Sequence, residues 1–173
     1  MMFRVSEVVD FGVFEDGGGF PNGFLEFAYR TLGCDQPDQV LHVCSGSVQG
    51  PFTVDVRPAV RPAVVALAQA LPFREESFRF VIADPPYSRT WAKALYGITV
   101  RKYPTPGAIV REAMRVLAPG GRLGLLHYMV PPYSWNTVRC VGQWGITVGP
   151  GSTIRCWTVL EKRTPQLELD AVL

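Results

Sequence analysis

The 173-residue chain is long enough for one domain with one core, and its 47% hydrophobic and 18% charged residues exclude an intrinsically disordered protein. A net charge of only +2 excludes a strong field for holding a long nucleic-acid backbone, while a local basic patch stays compatible with it. No apolar run reaches about 18 residues and the four cysteines lack C-x-x-C spacing, so we expect a cytoplasmic protein without a membrane span.

The first third of the chain predicts a helix followed by closely spaced strands. Residues 5–14 fit a short strand or an arm, and residues 24–32 have the apolar periodicity of a helix that stops at Gly33. Residues 39–44 and 52–56 predict the first two strands. Residues 45–51 are too few for the helical crossover that parallel strands normally need. We therefore expect the first crossover helix to be deleted, with the strand order kept.

A third short strand is predicted at residues 61–66, and a stiff corner follows the next apolar run. Residues 81–83 predict the end of a buried parallel strand, which Pro85 and Pro86 must stop because proline cannot donate to a sheet. Asp84, a backbone carbonyl and the Tyr87 ring are then held at the carboxyl edge of a strand, where ligands bind in open α/β sheets. The same residues also fit a rigid strand-to-loop corner in which Asp84 only caps a helix.

The chain has one basic and aromatic cluster, which follows this corner. It comprises Arg89, Trp91, Lys93, Tyr96, Arg101, Lys102 and Tyr103. Such mixtures suit a nucleic-acid strand. A solvated helix and loop with half-buried aromatic rings is the alternative.

The C-terminal half predicts a helix, a strand and a hairpin. Thr105 and Pro106 begin the helix, and residues 119–121 end it before a strand at residues 122–128. His127, at the end of that strand, fits either an acid/base residue or a hydrogen-bonded structural residue.

Residues 143–148 and 154–160 predict an antiparallel hairpin, residues 131–134 a loop over the pocket, and Glu161 the start of a polar stretch. We expect a single domain with an N-terminal arm and helix (1–38), a core (39–163) and a tail (164–173).

Several of these stretches resemble one enzyme family. Asp84-Pro85-Pro86-Tyr87 resembles the D-P-P-Y motif of the S-adenosylmethionine (SAM) dependent methyltransferases that modify adenine N6 or cytosine N4. The run L-P-F before the corner and the run P-G-G after it also resemble class I methyltransferases, in the same order. The resemblance implies an α/β, Rossmann-like fold with a mostly parallel twisted sheet and a C-terminal antiparallel hairpin. It also implies SAM as cofactor and no metal.

The resemblance implies a set of cofactor-binding residues, in which Asp55 binds the ribose hydroxyls. A solvated Asp at a turn before Pro58 is the alternative for Asp55. The set is Phe20, Pro21, Cys44, Ser45, Gly46, Asp55, Val56, Ala68, Gln69 and Asp84. Two departures stand out. The glycine turn after the first strand lacks a full G-x-G, and Leu67 replaces the Asp that accepts from the adenine amine, so Gln69 or a backbone carbonyl would substitute.

Catalysis is implied at Asp84, Pro85, Pro86 and Tyr87, where two acceptors bind the amine hydrogens and Tyr87 stacks on the base. We expect the substrate to contact Tyr87, Ser88, Arg89, Trp91, Lys93 and Lys102. Adenine N6 in DNA is the predicted target, ahead of RNA.

Three alternatives stay open: an RNA base, a protein glutamine, or a methyltransferase-like scaffold that has lost SAM affinity. No stretch is long enough for a target-recognition region. We therefore expect a homodimer, a separate specificity partner or little sequence preference.

Overall fold

The structure, a computed structural model, describes residues 7–11, 20–97, 99 and 103–164. These residues form the strands β1 (Glu7–Asp10), β2 (Leu41–Val43), β3 (Thr53–Asp55), β4 (Val64–Val65), β5 (Phe78–Ala83), β6 (Leu117–His127), β7 (Val138–Thr147) and β8 (Arg155–Lys162). The helices in the same ranges are α1 (Phe24–Leu32), α2 (Arg89–Tyr96) and α3 (Pro106–Val116). Of the segment predicted as a strand or an arm, β1 is a strand, and residues 5–6 and 12–14 lie outside the described ranges.

The strands form one sheet in the order β1-β7-β8-β6-β5-β2-β3-β4. β8 runs antiparallel to β6 and β7, and the other neighbours are parallel. Side chains alternate between the two faces of the sheet. In β5, Val81 and Ala83 pack with α3 on one face, and Ile82 packs with α1 on the other. This arrangement confirms the predicted α/β fold with its C-terminal hairpin.

Trp157 fixes α1 on the sheet. Its side chain is fully buried, and its Nε1 donates to Thr31 Oγ1 at 2.9 Å. The ring fills the space over Gly124, where an added Cβ would overlap a ring carbon of Trp157, so a larger residue there would displace the ring. Trp157 also meets Phe24 edge to face, and Phe24 stacks on Phe20 with ring centroids 5.1 Å apart. This chain of aromatic contacts sets the position of Phe20.

The link between β2 and β3 contains no helix, as predicted. The two strands are parallel, with Val43 opposite Val54, and only residues 44–52 join them. Cys44 and Gly46 have φ of 57° and 55°, and these left-handed residues turn the chain within that short link. The later links up to β5 contain a 3-10 turn at Pro58–Val60 and no α-helix.

The boundaries predicted for the third strand and for the junction of α3 with β6 were wrong. The third strand covers only Val64–Val65 because Arg61 has φ of 55° and Pro62 has no N–H to donate. α3 ends at Val116, since Leu117 already pairs with Phe78. Residues 118–121 belong to β6, but the register with β5 shifts there, and regular pairing resumes between Arg122 and Phe80.

The C-terminal hairpin is longer than predicted. β7 begins at Val138, opposite Lys162, so the hairpin extends past the predicted ends of both strands. Glu161 belongs to β8 rather than to a polar stretch, and its carboxylate bonds Arg122 at 2.9 Å and Arg139 at 2.7 Å.

The loop predicted over the pocket at residues 131–134 lies elsewhere. Pro132 contacts Gly107 of α3, and Tyr133 packs on the core beneath that helix. These four residues do not line the pocket at the carboxyl edge of the sheet, so their predicted position was wrong.

Candidate active site

A cavity of about 570 Å³ opens at the carboxyl ends of β2, β3 and β5. This volume lies within the range of small-molecule and cofactor sites. Most of the residues predicted for the site line it. They are Phe20, Cys44, Ser45, Gly46, Asp55, Val56, Ala68, Asp84, Pro85, Pro86, Tyr87 and Trp91.

The remaining predicted residues lie beside the cavity or elsewhere. The Pro21 carbonyl accepts from the Phe24 N–H at 3.0 Å at the start of α1. Ser88 caps α2, its Oγ accepting from the Trp91 N–H at 3.1 Å. The Arg89 guanidinium lies 6.0 Å from the centre of the Tyr103 ring, Lys93 is exposed, and Gln69 is next to the cavity-lining Ala68. Lys102 lies outside the described residues.

The proline corner connects Asp84 to a residue from the far end of the chain. Tyr87 Oη donates to Asp84 Oδ1 at 2.9 Å, and Arg155 Nη1 donates to the same hydroxyl at 3.1 Å. The Tyr87 ring packs against Tyr128 at 4.3 Å and edge to face against His127 at 5.5 Å. Asp84, Tyr87 and Arg155 therefore form a hydrogen-bonded chain along one wall of the cavity.

Burial dominates the electrostatics of this wall. Desolvation raises the pKa of Asp84 to about 6, although the Tyr87 hydrogen bond and the Arg155 charge act in the opposite direction. Burial, with the neighbouring Asp84 carboxylate, also raises the pKa of Tyr87, so the phenol stays protonated. Near neutral pH the protonation of the Asp84 carboxyl therefore depends on its contacts with Tyr87 and Arg155.

The opposite wall contains a second acid, Asp55, which is 4% exposed at the end of β3. Its Oδ1 accepts from the backbone N–H and Nε of Arg57, both at 2.9 Å. Its Oδ2 accepts from Arg57 Nη2 at 2.9 Å and from the Gly46 N–H at 3.1 Å. Burial by itself would raise the pKa of Asp55, but these bonds and the Arg57 charge hold it below its usual value. Arg57 also lies over the Tyr96 ring at 4.5 Å, which links β3 to α2.

The loop after β2 supplies the floor between the two walls. Ser45 is 4% exposed, and its Oγ has no hydrogen-bond partner among the described residues. Cys44 is beside both acids, and burial together with their charges raises the pKa of its thiol, so it stays neutral. A buried hydroxyl that lines a cavity without a partner suits a polar ligand.

His127 behaves as a buried neutral imidazole. Its Nδ1 accepts from the Met129 N–H at 3.2 Å, and burial lowers its pKa. Its Nε2 is buried without a hydrogen-bond partner in the described part of the chain. The hydrogen-bonded alternative therefore accounts for Nδ1, and an acid/base role stays a prediction.

Two arginines of the site were missed by sequence reasoning. Arg57 lies two residues after Asp55, so an acid and a base at the end of one strand were a usable local signal. Arg155 lies 68 positions after Tyr87 in the sequence. Its signal was a charged residue inside the apolar run Ile154-Arg155-Cys156-Trp157, which does not reveal its partner.

Comparisons with solved structures place this geometry in a known fold. The chain is similar to an rRNA methylase from Streptococcus thermophilus, with 12% identity over 81% of this chain and 97% of that one and a TM-score of 0.51. It is similar to the N-methyltransferase NodS from Bradyrhizobium japonicum, with 11% identity, coverage of 83% and 98%, and a TM-score of 0.51. TrmN from Thermus thermophilus gives 20% identity and a TM-score of 0.49, covering 79% of this chain, which spans 47% of TrmN.

The chain has a Rossmann-like methyltransferase fold. At these identities the similarity concerns the fold alone. No protein-family model and no curated protein sequence matches the chain. Among the described residues, the helices are too short or too polar to cross a membrane.

Proposed function

We propose that this protein is a SAM-dependent methyltransferase that modifies an exocyclic amino nitrogen of a nucleic-acid base, with adenine N6 in DNA as the leading candidate. The observation that carries the proposal is that the Asp84 to Tyr87 corner and Asp55 line one cavity, at the carboxyl edge of a methyltransferase-type sheet. An amine acceptor site and a nucleoside site must adjoin for direct methyl transfer, and these residues provide both.

The residues of the cavity fit SAM. Ser45 Oγ, which has no partner among the described residues, suits the polar end of the cofactor, and the carboxylate of Asp55 suits the ribose. Gln69 Oε1 is also buried without a partner among the described residues, which suits an acceptor for the adenine amine where Leu67 offers none. Pro21 and Gln69 are proposed to act from the border of the cavity.

Asp55 must rearrange before it can bind a ribose. A carboxylate has about four lone-pair sites, and Gly46 and Arg57 together donate to Asp55 four times. Ribose hydroxyls therefore compete with the Arg57 guanidinium. Because that guanidinium also contacts Tyr96, ligand binding is coupled to α2.

At the corner, two acceptors take hydrogen bonds from a weakly nucleophilic amine. The lone pair of an exocyclic amine is delocalised into the base, and it becomes available when both hydrogens are bound by acceptors. Asp84 and a backbone carbonyl of the proline pair serve as these acceptors, and the stiffness of the prolines keeps them in place. Bound SAM would supply an electrophilic methyl carbon.

The substrate is proposed to approach over the exposed aromatic residues of this wall. Trp91 is 49% exposed and Tyr128 is 43% exposed, and their ring centroids lie 6.5 Å apart. Since the Tyr87 ring is packed between neighbours, these two rings offer the more accessible surface for base stacking. Arg89 and Lys93 of α2 are proposed to contact the phosphate backbone, and a homodimer or a specificity partner stays a proposal.

Two measurements test the function. Calorimetric titration with SAM and S-adenosylhomocysteine should show binding, whereas no heat at millimolar ligand would favour the scaffold alternative. Tritiated-methyl transfer onto DNA, RNA and protein pools, followed by analysis of the labelled nucleosides or residues, should then give N6-methyladenine in DNA. Label in RNA or in glutamine would support methyl transfer to nitrogen and would reject DNA as the substrate.

A further inference from the structure

Arg155 places a buried cation in the wall of the cavity. It is the first residue of β8, is 7% exposed, and lines the same cavity as Asp84 and Tyr87. Burying a guanidinium costs desolvation free energy, which close polar partners must offset. Its partner in the cavity wall is the Tyr87 hydroxyl.

The chemistry of a guanidinium fixes the direction of this hydrogen-bonded chain. Arg155 can only donate, so at 3.1 Å it occupies a lone pair of the Tyr87 oxygen. The phenol proton is then directed to Asp84 Oδ1, 2.9 Å away. The ring itself is held by Tyr128 and His127. Arg155 thus orients the donor that binds one oxygen of Asp84.

One oxygen of Asp84 stays available to a substrate. Oδ1 accepts from Tyr87, whereas Oδ2 accepts no hydrogen bond from the described residues. Resting on the function proposed above, we propose that Arg155 is a positioning residue, which holds Tyr87 so that Asp84 presents Oδ2 to a hydrogen of the amine that is methylated.

The charge of Arg155 has a second consequence. Among the described residues, the titratable groups that face Asp84 are Tyr87 at the corner, Cys44 after β2, Tyr96 on α2 and Arg155 on β8. Arg155 is the cation of this group, and it lowers the pKa of Asp84 against the effect of burial. Without it, more of the carboxyl is protonated near neutral pH, and a protonated Oδ2 no longer accepts from an amine.

The test replaces Arg155 with Gln, which keeps hydrogen-bonding capacity without charge, and with Lys, which keeps the charge. Arg139→Gln is the matched control, because Arg139 pairs with Glu161 on the neighbouring strand and does not line the cavity. The titration midpoint of Asp84 is followed by carboxyl-carbon NMR. It should move to higher pH in Arg155→Gln, return toward wild type in Arg155→Lys, and stay unchanged in the control.

Kinetics of methyl transfer give the second measurement. Arg155→Gln should lower kcat at pH 6 by about tenfold, which corresponds to about 1.4 kcal/mol in the barrier, with KM for SAM unchanged. In a Tyr87→Phe background the same substitution should cost much less, because coupled residues are not additive. An unchanged Asp84 midpoint, or fully additive losses, would overturn the role of Arg155.

The NMR titration needs no methyl acceptor, so it separates this inference from the proposed function. A shifted midpoint in a protein that methylates nothing supports the Arg155 contact and rejects the function. Methyl transfer together with an unshifted midpoint supports the proposed function and rejects the role of Arg155.

Discussion

The two walls of the cavity each combine an aspartate with an arginine, and the two pairs behave differently. Asp55 and Arg57 are two residues apart, meet directly, and the pKa of the acid is lowered. Asp84 and Arg155 come from distant strands, communicate through Tyr87, and the pKa of the acid is raised to about 6. A direct ion pair stabilises the charge of its acid, whereas a pair separated by a phenol leaves burial as the larger effect. The first acid therefore keeps its charge to lower pH than the second.

The largest expected effect is on catalysis at the buried pair. Asp84→Ala should lower methyl transfer by about 1,000-fold, because it removes an acceptor aimed at the reacting amine. SAM affinity should change by less than about threefold, since Asp55, the acid proposed to bind the ribose, lies on the other wall. Turnover of the tritiated substrate and calorimetry measure the two quantities, and wild-type turnover would remove the catalytic assignment.

The direct pair should give effects of opposite sign on SAM affinity. Asp55→Asn should weaken binding by about tenfold or more, the scale of a lost hydrogen bond to a charged group. Arg57→Ala should strengthen binding a few-fold, because it frees the lone pairs that a ribose needs. Calorimetric titration of both variants decides the point. Weaker binding in both would mean that Arg57 contacts the ligand instead of competing with it.

The two acids should also affect stability with opposite pH dependence. The pKa of Asp84 is raised from 3.8 to about 6, so the folded state binds more protons than the unfolded state between these values, and stability falls as pH rises through them. Asp84→Asn should therefore stabilise the protein at pH 7 by about 1–3 kcal/mol, with little gain at pH 4. Urea unfolding at both pH values measures this difference.

Asp55→Asn should do the reverse. The pKa of Asp55 is lowered, so its contribution is present above the unfolded value and disappears as pH falls through the folded one. This variant should be less stable than wild type at pH 7, and the difference should shrink in acid. Equal pH profiles for the two variants would contradict the distinction between the walls.

The smallest effect concerns α2. This helix follows the Asp84 corner, and its Tyr96 ring lies against Arg57. Ser88→Ala removes the cap bond to Trp91 and should cost about 1 kcal/mol of stability. KM for the nucleic acid should change little if capping is the main role of Ser88, whereas Lys93→Gln should raise KM at low salt. A large rise in KM for Ser88→Ala would instead support its predicted contact with substrate.

Local rules account for the features that the sequence predicted. Pro85 and Pro86 stop β5 wherever that strand lies, and seven residues cannot hold a crossover helix, so the corner and the missing helix followed from covalent geometry. Thr105 and Pro106 begin α3 for the same kind of reason. Asp55 lines the cavity because the ends of parallel strands converge at one edge of a sheet, while its ribose role stays a prediction.

Only the tertiary structure decided which side chains meet across that edge. The pairing of β8 with β6 brings Arg155 to Tyr87, and the packing of Tyr87 on Tyr128 and His127 turns its hydroxyl toward Asp84. The extent of α3 and β6 was likewise set by the pairing of Leu117 with Phe78. Contacts between distant segments depend on register and burial, which no short stretch of sequence encodes, and in this protein those contacts set the charge of the acid proposed to do the chemistry.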